Sequence, residues 1–279
     1  MKLQSNSNKL QNTFISLQHS DWLDRQRIAG QYLADIMCLL QGLVKEKTNL
    51  SLLEIDKLVD DEIVKRGCIP TFKNFKGFPG AICLSLNKQL VHGIPSDQKL
   101  KDGDLITFDF GVTYEGAIAD SAVTMVYGET ENKEHYKLIE TTKLCLYNAI
   151  RAMVVEKRIG VIGNAIYKTA KHAGFNVIDK FGGHGIGWNK PHADLFVSNK
   201  SAPDDGVCIQ PGLTIAIEPL LVPGNCSTNT KIAEDGWTVC TEDVGSHTEH
   251  SLYVHADHVE IITWRPEEES DIPRKVYFN

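Results

Sequence analysis

Two acids stand inside what would otherwise be unbroken apolar strands, and they limit what this chain can become more than any other feature. Leu105-Ile106-Thr107-Phe108-Asp109-Phe110-Gly111-Val112 is a β-branched and aromatic run, and Ala117 to Tyr127 is a second. Tyr114-Glu115-Gly116 supplies a turn between them, so the two runs predict a β-hairpin. Asp109 and Asp120 stand about equidistant from that turn, which sets their carboxylates roughly opposite each other. Two carboxylates side by side in an apolar sheet repel and lose hydration. A positive charge between them would relieve both, and the rest of the chain can supply groups that help to hold one.

The chain on either side falls into two similar halves. Before the hairpin, apolar residues at helical spacing predict a helix from Trp22 with Asp21 as its N-cap. A second helix is predicted from Ser51 to Lys65, with Ser51 and Glu54 as a capping box and Gly67 as its stop. An aromatic loop, Phe72 to Gly80, leads to a strand Ala81 to Leu86 and to Val91-His92-Gly93-Ile94-Pro95. After the hairpin, helices are predicted over 131–155 and 163–173, then a strand over 176–178 and a glycine turn, Gly182-Gly183-His184-Gly185-Ile186-Gly187. Strands over 214–221, 238–240 and 252–262 complete the chain. Each half runs two helices, a strand and a His-Gly-Ile corner, the order of a duplicated architecture. Residues 1–20 read as a polar, loosely held tail, and 21–279 as one domain, because no linker separates the halves.

Composition excludes several roles. A net charge of −7 with no basic stripe speaks against a nucleic-acid partner. No stretch approaches the roughly eighteen apolar residues of a membrane span. Seven scattered cysteines without a C-x-x-C pair suit a reducing compartment and a cytoplasmic protein. No heptad or large apolar helix face demands a partner subunit, so a monomer is expected.

The acids and histidines beside glycine turns or inside apolar strands are Asp109, Asp120, His184, Glu218 in Ile217-Glu218-Pro219, and Glu249 in Thr248-Glu249-His250. Singly, each has an ordinary structural explanation. Together, four carboxylates and one imidazole are too acidic for a four-coordinate structural zinc. They suit a pair of divalent cations bridged by carboxylates and a water.

In order and context these five residues resemble the ligands of the methionine aminopeptidases, pita-bread enzymes of the M24 metallopeptidases. The likeness runs from about residue 22 to 264 and includes Leu86-Asn87, His92-Gly93-Ile94-Pro95, Lys101-Asp102-Gly103-Asp104 and Asp235-Gly236-Trp237-Thr238-Val239. It implies an α+β pita-bread fold, an antiparallel sheet backed by helices with pseudo-twofold symmetry. It implies two divalent ions, of cobalt, manganese, iron or zinc. Asp109 would chelate one, Asp120 and Glu249 would bridge both, and His184 with Glu218 would bind the other. Glu218 would also handle the proton of the attacking water, with His92 and His192 contacting the substrate. Phe72, Phe75, Phe78 and Trp237 would form the methionine pocket. The implied activity is removal of the initiator methionine from nascent chains, at the ribosome, where the second residue is small.

The chain departs from that pattern at four points. The spacing from His184 to His192 is one residue longer than in short bacterial-type members and resembles the type II branch. Gly111 stands where type I enzymes usually carry Thr, Lys76 where His is usual, and Phe72 where a small or sulfur-bearing residue is usual. The stretch from His184 to Glu218 is too short for the type II insertion, so the enzyme is of type I size. Two competing readings are an X-Pro aminopeptidase or prolidase, which share the ligand order but usually carry an added N-terminal domain, and a metal-free pita-bread binding protein. Retention of all five ligands speaks against the second, since buried carboxylates without a cation are costly.

Overall fold

The computed structural model describes residues 20–278; of the polar tail read over residues 1–20, residues 1–19 lie outside them and Ser20 opens the first helix. The first helix, α1 (Ser20–Lys45), begins before the predicted start, and Asp21 lies in its first turn instead of capping it. An acid there still favours the helix N-terminus electrostatically. Helix α2 (Leu52–Lys65) has the expected box: the Glu54 N–H donates to Ser51 Oγ and the Ser51 N–H donates to Glu54 Oε2. Strands β1 (Ile69–Pro70), β2 (Cys83–Leu86) and β3 (Gln89–Val91) follow, then the hairpin β4 (Leu105–Tyr114) and β5 (Ala117–Val126).

The second half opens with α3 (Lys133–Ala152) and α4 (Gly160–Ala173), each offset from the predicted bounds, with Gly174 closing α4 in a left-handed conformation. Next come β6 (Phe175–Val177), β7 (Gly183–Gly187) and β8 (Lys190–Val197). The expected strand over 214–221 is two strands, β9 (Thr214–Ile217) and β10 (Leu220–Pro223), which enter different sheets. Pro219 lacks the N–H that would carry the ladder onward. Short strands β11 (Lys231–Ile232), β12 (Val239–Cys240) and β13 (Ser246–His247) precede β14 (Glu249–Val254). The expected run over 252–262 turns back on itself, so β14 pairs with β15 (His258–Ile261), and β15 with β16 (Lys275–Tyr277).

The main antiparallel sheet runs β1-β4-β5-β14-β9-β7-β8, with β2 added to β4 and the β15–β16 pair added to β14. Alternation along its strands separates two faces. Phe108, Phe110 and Val112 leave one face to pack with Leu33, Met37 and Leu40 of α1 and Val59 and Ile63 of α2. Ile215, Ile217, Leu252 and Val254 leave the same face to pack with Leu146 and Ile150 of α3 and Ile162 and Ile166 of α4. Each helix pair covers one half of that face. The opposite face carries the acids.

Candidate metal centre

Strand register assembles the acids. Asp109 pairs with Ala122 of β5, and Ala122 pairs on its other side with Glu249 of β14. Asp120, two residues along β5, shares their face. Asp120 itself lies opposite Gly111, so the two aspartates are diagonal neighbours and not the opposed pair expected. The reason is the turn: Tyr114 pairs with Ala117, leaving Glu115-Gly116 as a two-residue loop that lies nearer to Asp120. Both loop residues have positive φ, as a turn that follows strand twist requires.

The glycine-rich run around His184 is a strand, not the turn expected from its composition. None of Gly183, Gly185 and Gly187 has a positive φ. Gly183 and Gly185 are glycines because β7 is tightly packed there: a Cβ on Gly183 would lie 2.1 Å from the Ala216 carbonyl oxygen, and one on Gly185 3.1 Å from the Ala193 side chain. Gly185 pairs with Ile215 of β9, which turns His184 toward the face of the acids, and Glu218 follows directly after β9. The Nδ1–H of His184 donates to the Gly185 carbonyl at 3.0 Å, leaving the Nε2 lone pair for the pocket.

That Nε2 lies 4.0 Å from Asp120 Oδ2, 3.9 Å from Glu218 Oε1 and 3.8 Å from Glu249 Oε1. These gaps are too long for hydrogen bonds and about twice a metal–ligand bond of about 2.0–2.2 Å. Donor atoms lie within 4.8 Å of one another in the groups His184-Glu218-Glu249, Asp109-Asp120-Glu249 and Asp120-His184-His192. Glu249 and Asp120 each belong to two of these groups. Asp120 Oδ1 and Glu249 Oε1 are buried with no hydrogen-bond partner. Burial and then mutual repulsion push Asp109, Glu218 and Glu249 well above the usual carboxylate range, and burial pushes Asp120 up to about 7. Burial lowers His184 to about 4, so its ring is neutral at physiological pH. Neutral imidazole, unpartnered oxygens and crowded carboxylates together fit divalent cations.

A cavity of about 170 Å³ opens over these groups, lined also by Phe72, Phe75, Lys76, Phe78 and Trp237. Phe72 and Phe78 pack with Cys83, Ile94 and Trp237 under the loop, and the Phe78 and Trp237 rings meet edge-on at 5.4 Å. Phe72 therefore both supports the loop and walls the cavity. His92, held at φ +60°, also lines the cavity, and Gly93 beside it packs so close that a Cβ would lie 2.3 Å from the Leu84 carbonyl oxygen.

The longer spacing to His192 has a structural explanation. Register in the β7–β8 hairpin shifts from Gly187↔Lys190 to Gly185↔Ala193, so β8 carries an extra residue. Without that bulge His192 would oppose Gly185 and point away from His184. With it, the His184 and His192 rings meet at 4.3 Å, and Phe75 packs edge-on to His192 at 5.5 Å. Gly111 is likewise explained, because a Cβ there would lie 2.8 Å from the Thr71 side chain. Val91, Cys83 and His247 also line the cavity and escaped the sequence reading of the site. Cys83 pairs with Asp109 across β2 and β4, and His247 lies two residues before Glu249 on an alternating segment. The period-two spacing to Glu249 was the signal for His247.

The profile of metallopeptidase family M24 matches residues 24–256. A methionine aminopeptidase of Mycoplasma capricolum is 39% identical over 251 residues, which cover 89% of this chain and 98% of that protein. The crystal structure of a methionine aminopeptidase from Thermotoga maritima superposes with a TM-score of 0.82 at 30% identity, covering 89% of this chain and 99% of that one. A prolidase from Pyrococcus furiosus superposes at 0.69 with 16% identity, covering 92% of this chain and 67% of that one, a likeness of fold alone.

Proposed function

The chain belongs to metallopeptidase family M24 and, within it, to the methionine aminopeptidases, and on that premise we propose that it removes the initiator methionine from new polypeptides whose second residue is small. One observation carries the reading: two carboxylate-rich donor groups, Asp109-Asp120-Glu249 and His184-Glu218-Glu249, share Glu249 and lie at the foot of the aromatic wall formed by Phe72, Phe75, Phe78 and Trp237.

Asp109, Asp120 and Glu249 would hold one divalent cation, and Asp120, His184, Glu218 and Glu249 a second. Such cations, when bound, polarise the scissile carbonyl and acidify a water. Glu218, whose carboxylate lines the cavity between His184 and His247, would take that water's proton and pass it to the leaving amine. His92, kept neutral by burial, would donate a hydrogen bond to the substrate near the scissile amide. His192, beside His184 and Phe75, would contact the substrate at the rim. The aromatic wall suits a thioether, which packs well against ring edges. The substrates would be nascent chains emerging from the ribosome in the cytoplasm, acted on by a monomer.

Methionine release from Met-Ala-Ser by metal-stripped protein, with manganese, cobalt, iron or zinc added back, tests this reading. Release that depends on added metal is expected, with Ala-Pro-Ala untouched. Cleavage of Ala-Pro-Ala alone would replace it with an X-Pro aminopeptidase, and failure to bind any metal would end the enzymatic reading.

A further inference from the structure

Across the two glutamates from His184 lies a second imidazole that the reaction above does not use. His247 is 1% exposed and lines the same cavity. Its backbone is clamped: its N–H donates to Thr124 Oγ1 at 2.9 Å, and its carbonyl accepts from Thr124 Oγ1 at 2.7 Å. Its ring is not, because neither nitrogen has a hydrogen-bond partner among the described residues. Nε2 lies 3.5 Å from Glu218 Oε2 and 3.9 Å from Glu249 Oε2. His184 Nε2, by contrast, faces the Oε1 atoms of the same two residues. Each glutamate thus presents one oxygen to each histidine. His247 belongs to none of the three-donor groups that could hold an ion, which places it outside the ligand shell.

A neutral imidazole carries one N–H and one lone pair. A lone pair aimed at two carboxylate oxygens would be repelled, so the hydrogen sits on Nε2 and points at Glu218 Oε2. With the carboxylate ionised, a modest closing of that 3.5 Å gap would make a charge-assisted hydrogen bond, and residues so placed orient metal-bound carboxylates. We propose that His247 is a positioning residue: it holds the outer oxygen of Glu218, and less closely that of Glu249, so that their inner oxygens face the cation beside His184. This inference rests on the metallopeptidase reading.

The test compares His247→Leu, His247→Gln and His247→Asn with the wild type. Manganese(II) is titrated calorimetrically into each metal-stripped protein, and kcat and KM are measured on Met-Ala-Ser. Gln keeps an N–H donor at a similar reach, whereas Asn is shorter and Leu has no donor. One of two manganese-binding steps should weaken about 10–100-fold in the Leu and Asn variants, with kcat falling alongside and KM moving less. His247→Gln should stay within a few-fold of wild type. If Leu does not fold, the Gln–Asn contrast decides alone. Wild-type manganese affinity and kcat in the Leu or Asn variant would overturn the proposal, as would equal losses in Gln and Asn. A wild type that binds none of manganese, cobalt, iron and zinc would instead remove the metallopeptidase reading beneath it.

Discussion

The molecule buries carboxylates in two places and neutralises them in opposite ways. In the cavity, Asp109, Asp120, Glu218 and Glu249 face one another and neutral imidazoles, and Lys76 is the one basic chain in the lining. Near β15, Glu260 is as deeply buried, but the Arg27 guanidinium reaches it through Nε and Nη2, the latter at 2.7 Å, and Arg274 lies at 3.3 Å. Glu268 likewise meets Arg265 at 2.7 Å and accepts from the Tyr147 hydroxyl at 3.0 Å. Burial raises Glu260, but the hydrogen bonds from Arg27 and His255 outweigh it and hold the group at about 2. Burial acts the same way on Glu268, and His250 and Arg265 hold it well below the usual range. One region was given its countercharge by the chain, and the other leaves that role to something bound. His255, His258 and Glu260 also bring donors within 4.8 Å of one another, yet two guanidiniums already serve Glu260.

The largest effect should come from removing a charge in the cavity. Asp120→Asn should reduce methionine release by more than the 10–100-fold typical of a change outside the ligand shell. The same variant, stripped of metal, should melt above the wild type, because an amide relieves the repulsion that burdens Asp109, Glu218 and Glu249. The gain is on the order of one to a few kcal/mol, at about 1.4 kcal/mol per pKa unit. Thermal melts in chelator check this. A metal-free variant less stable than wild type would mean that the cavity's acids are not in conflict, and the contrast with Glu260 would fail.

What the sequence revealed, and what it hid, follows the same division. The β4–β5 hairpin and the capping of α2 were legible because both are local: a turn between two apolar runs, and Ser51 three residues before Glu54. Asp109, Asp120 and Glu218 were legible because each interrupts an apolar run, whereas Glu249, between Thr248 and His250, was legible only by its place in the ligand order. Register was not, since one residue of slip reverses every side chain, so neither the diagonal offset of Asp109 and Asp120 nor the bulge that turns His192 inward could be read. Composition misled over Gly183 to Gly187, a strand in which close packing and not turning demands glycine at Gly183 and Gly185. The pairing of Arg27 with Glu260 was beyond reach, because 233 residues separate them.

Breaking the internally neutralised region should cost stability and spare catalysis. Arg27→Met leaves Glu260 with Arg274 and His255 as partners. Loss of one partner of a buried pair commonly costs about 3–5 kcal/mol. Arg27 is 34% exposed and Arg274 remains, so a smaller loss of about 2 kcal/mol is expected. Adding Glu260→Gln should recover most of it, while kcat on Met-Ala-Ser stays unchanged in all three proteins. Urea denaturation measures the first part. A neutral single variant would show that Arg274 alone suffices.

The smallest effect, and the one that sets the two regions directly against each other, is the pH dependence of the metal-free protein. Asp109, Asp120, Glu218 and Glu249 have folded values above the roughly 4 of an unfolded carboxylate, so the folded state holds more protons there than the unfolded one. Their contribution is greatest below pH about 4 and is lost as pH rises through Asp120's value of about 7 and beyond. Glu260 has the opposite sign: held at about 2, it stabilises above pH about 4 and loses that contribution as pH falls toward its folded value. In chelator, then, unfolding free energy should decline from pH 5 to 8 as these acids give up their shared protons. Saturating manganese should flatten that limb, because a bound cation takes the place of the protons. The limb below pH 4 should persist with or without metal and should shrink in Arg27→Met. If metal flattened both limbs or neither, the two groups of acids would not be independent, and the division between chain-supplied and externally supplied charge would have to be abandoned.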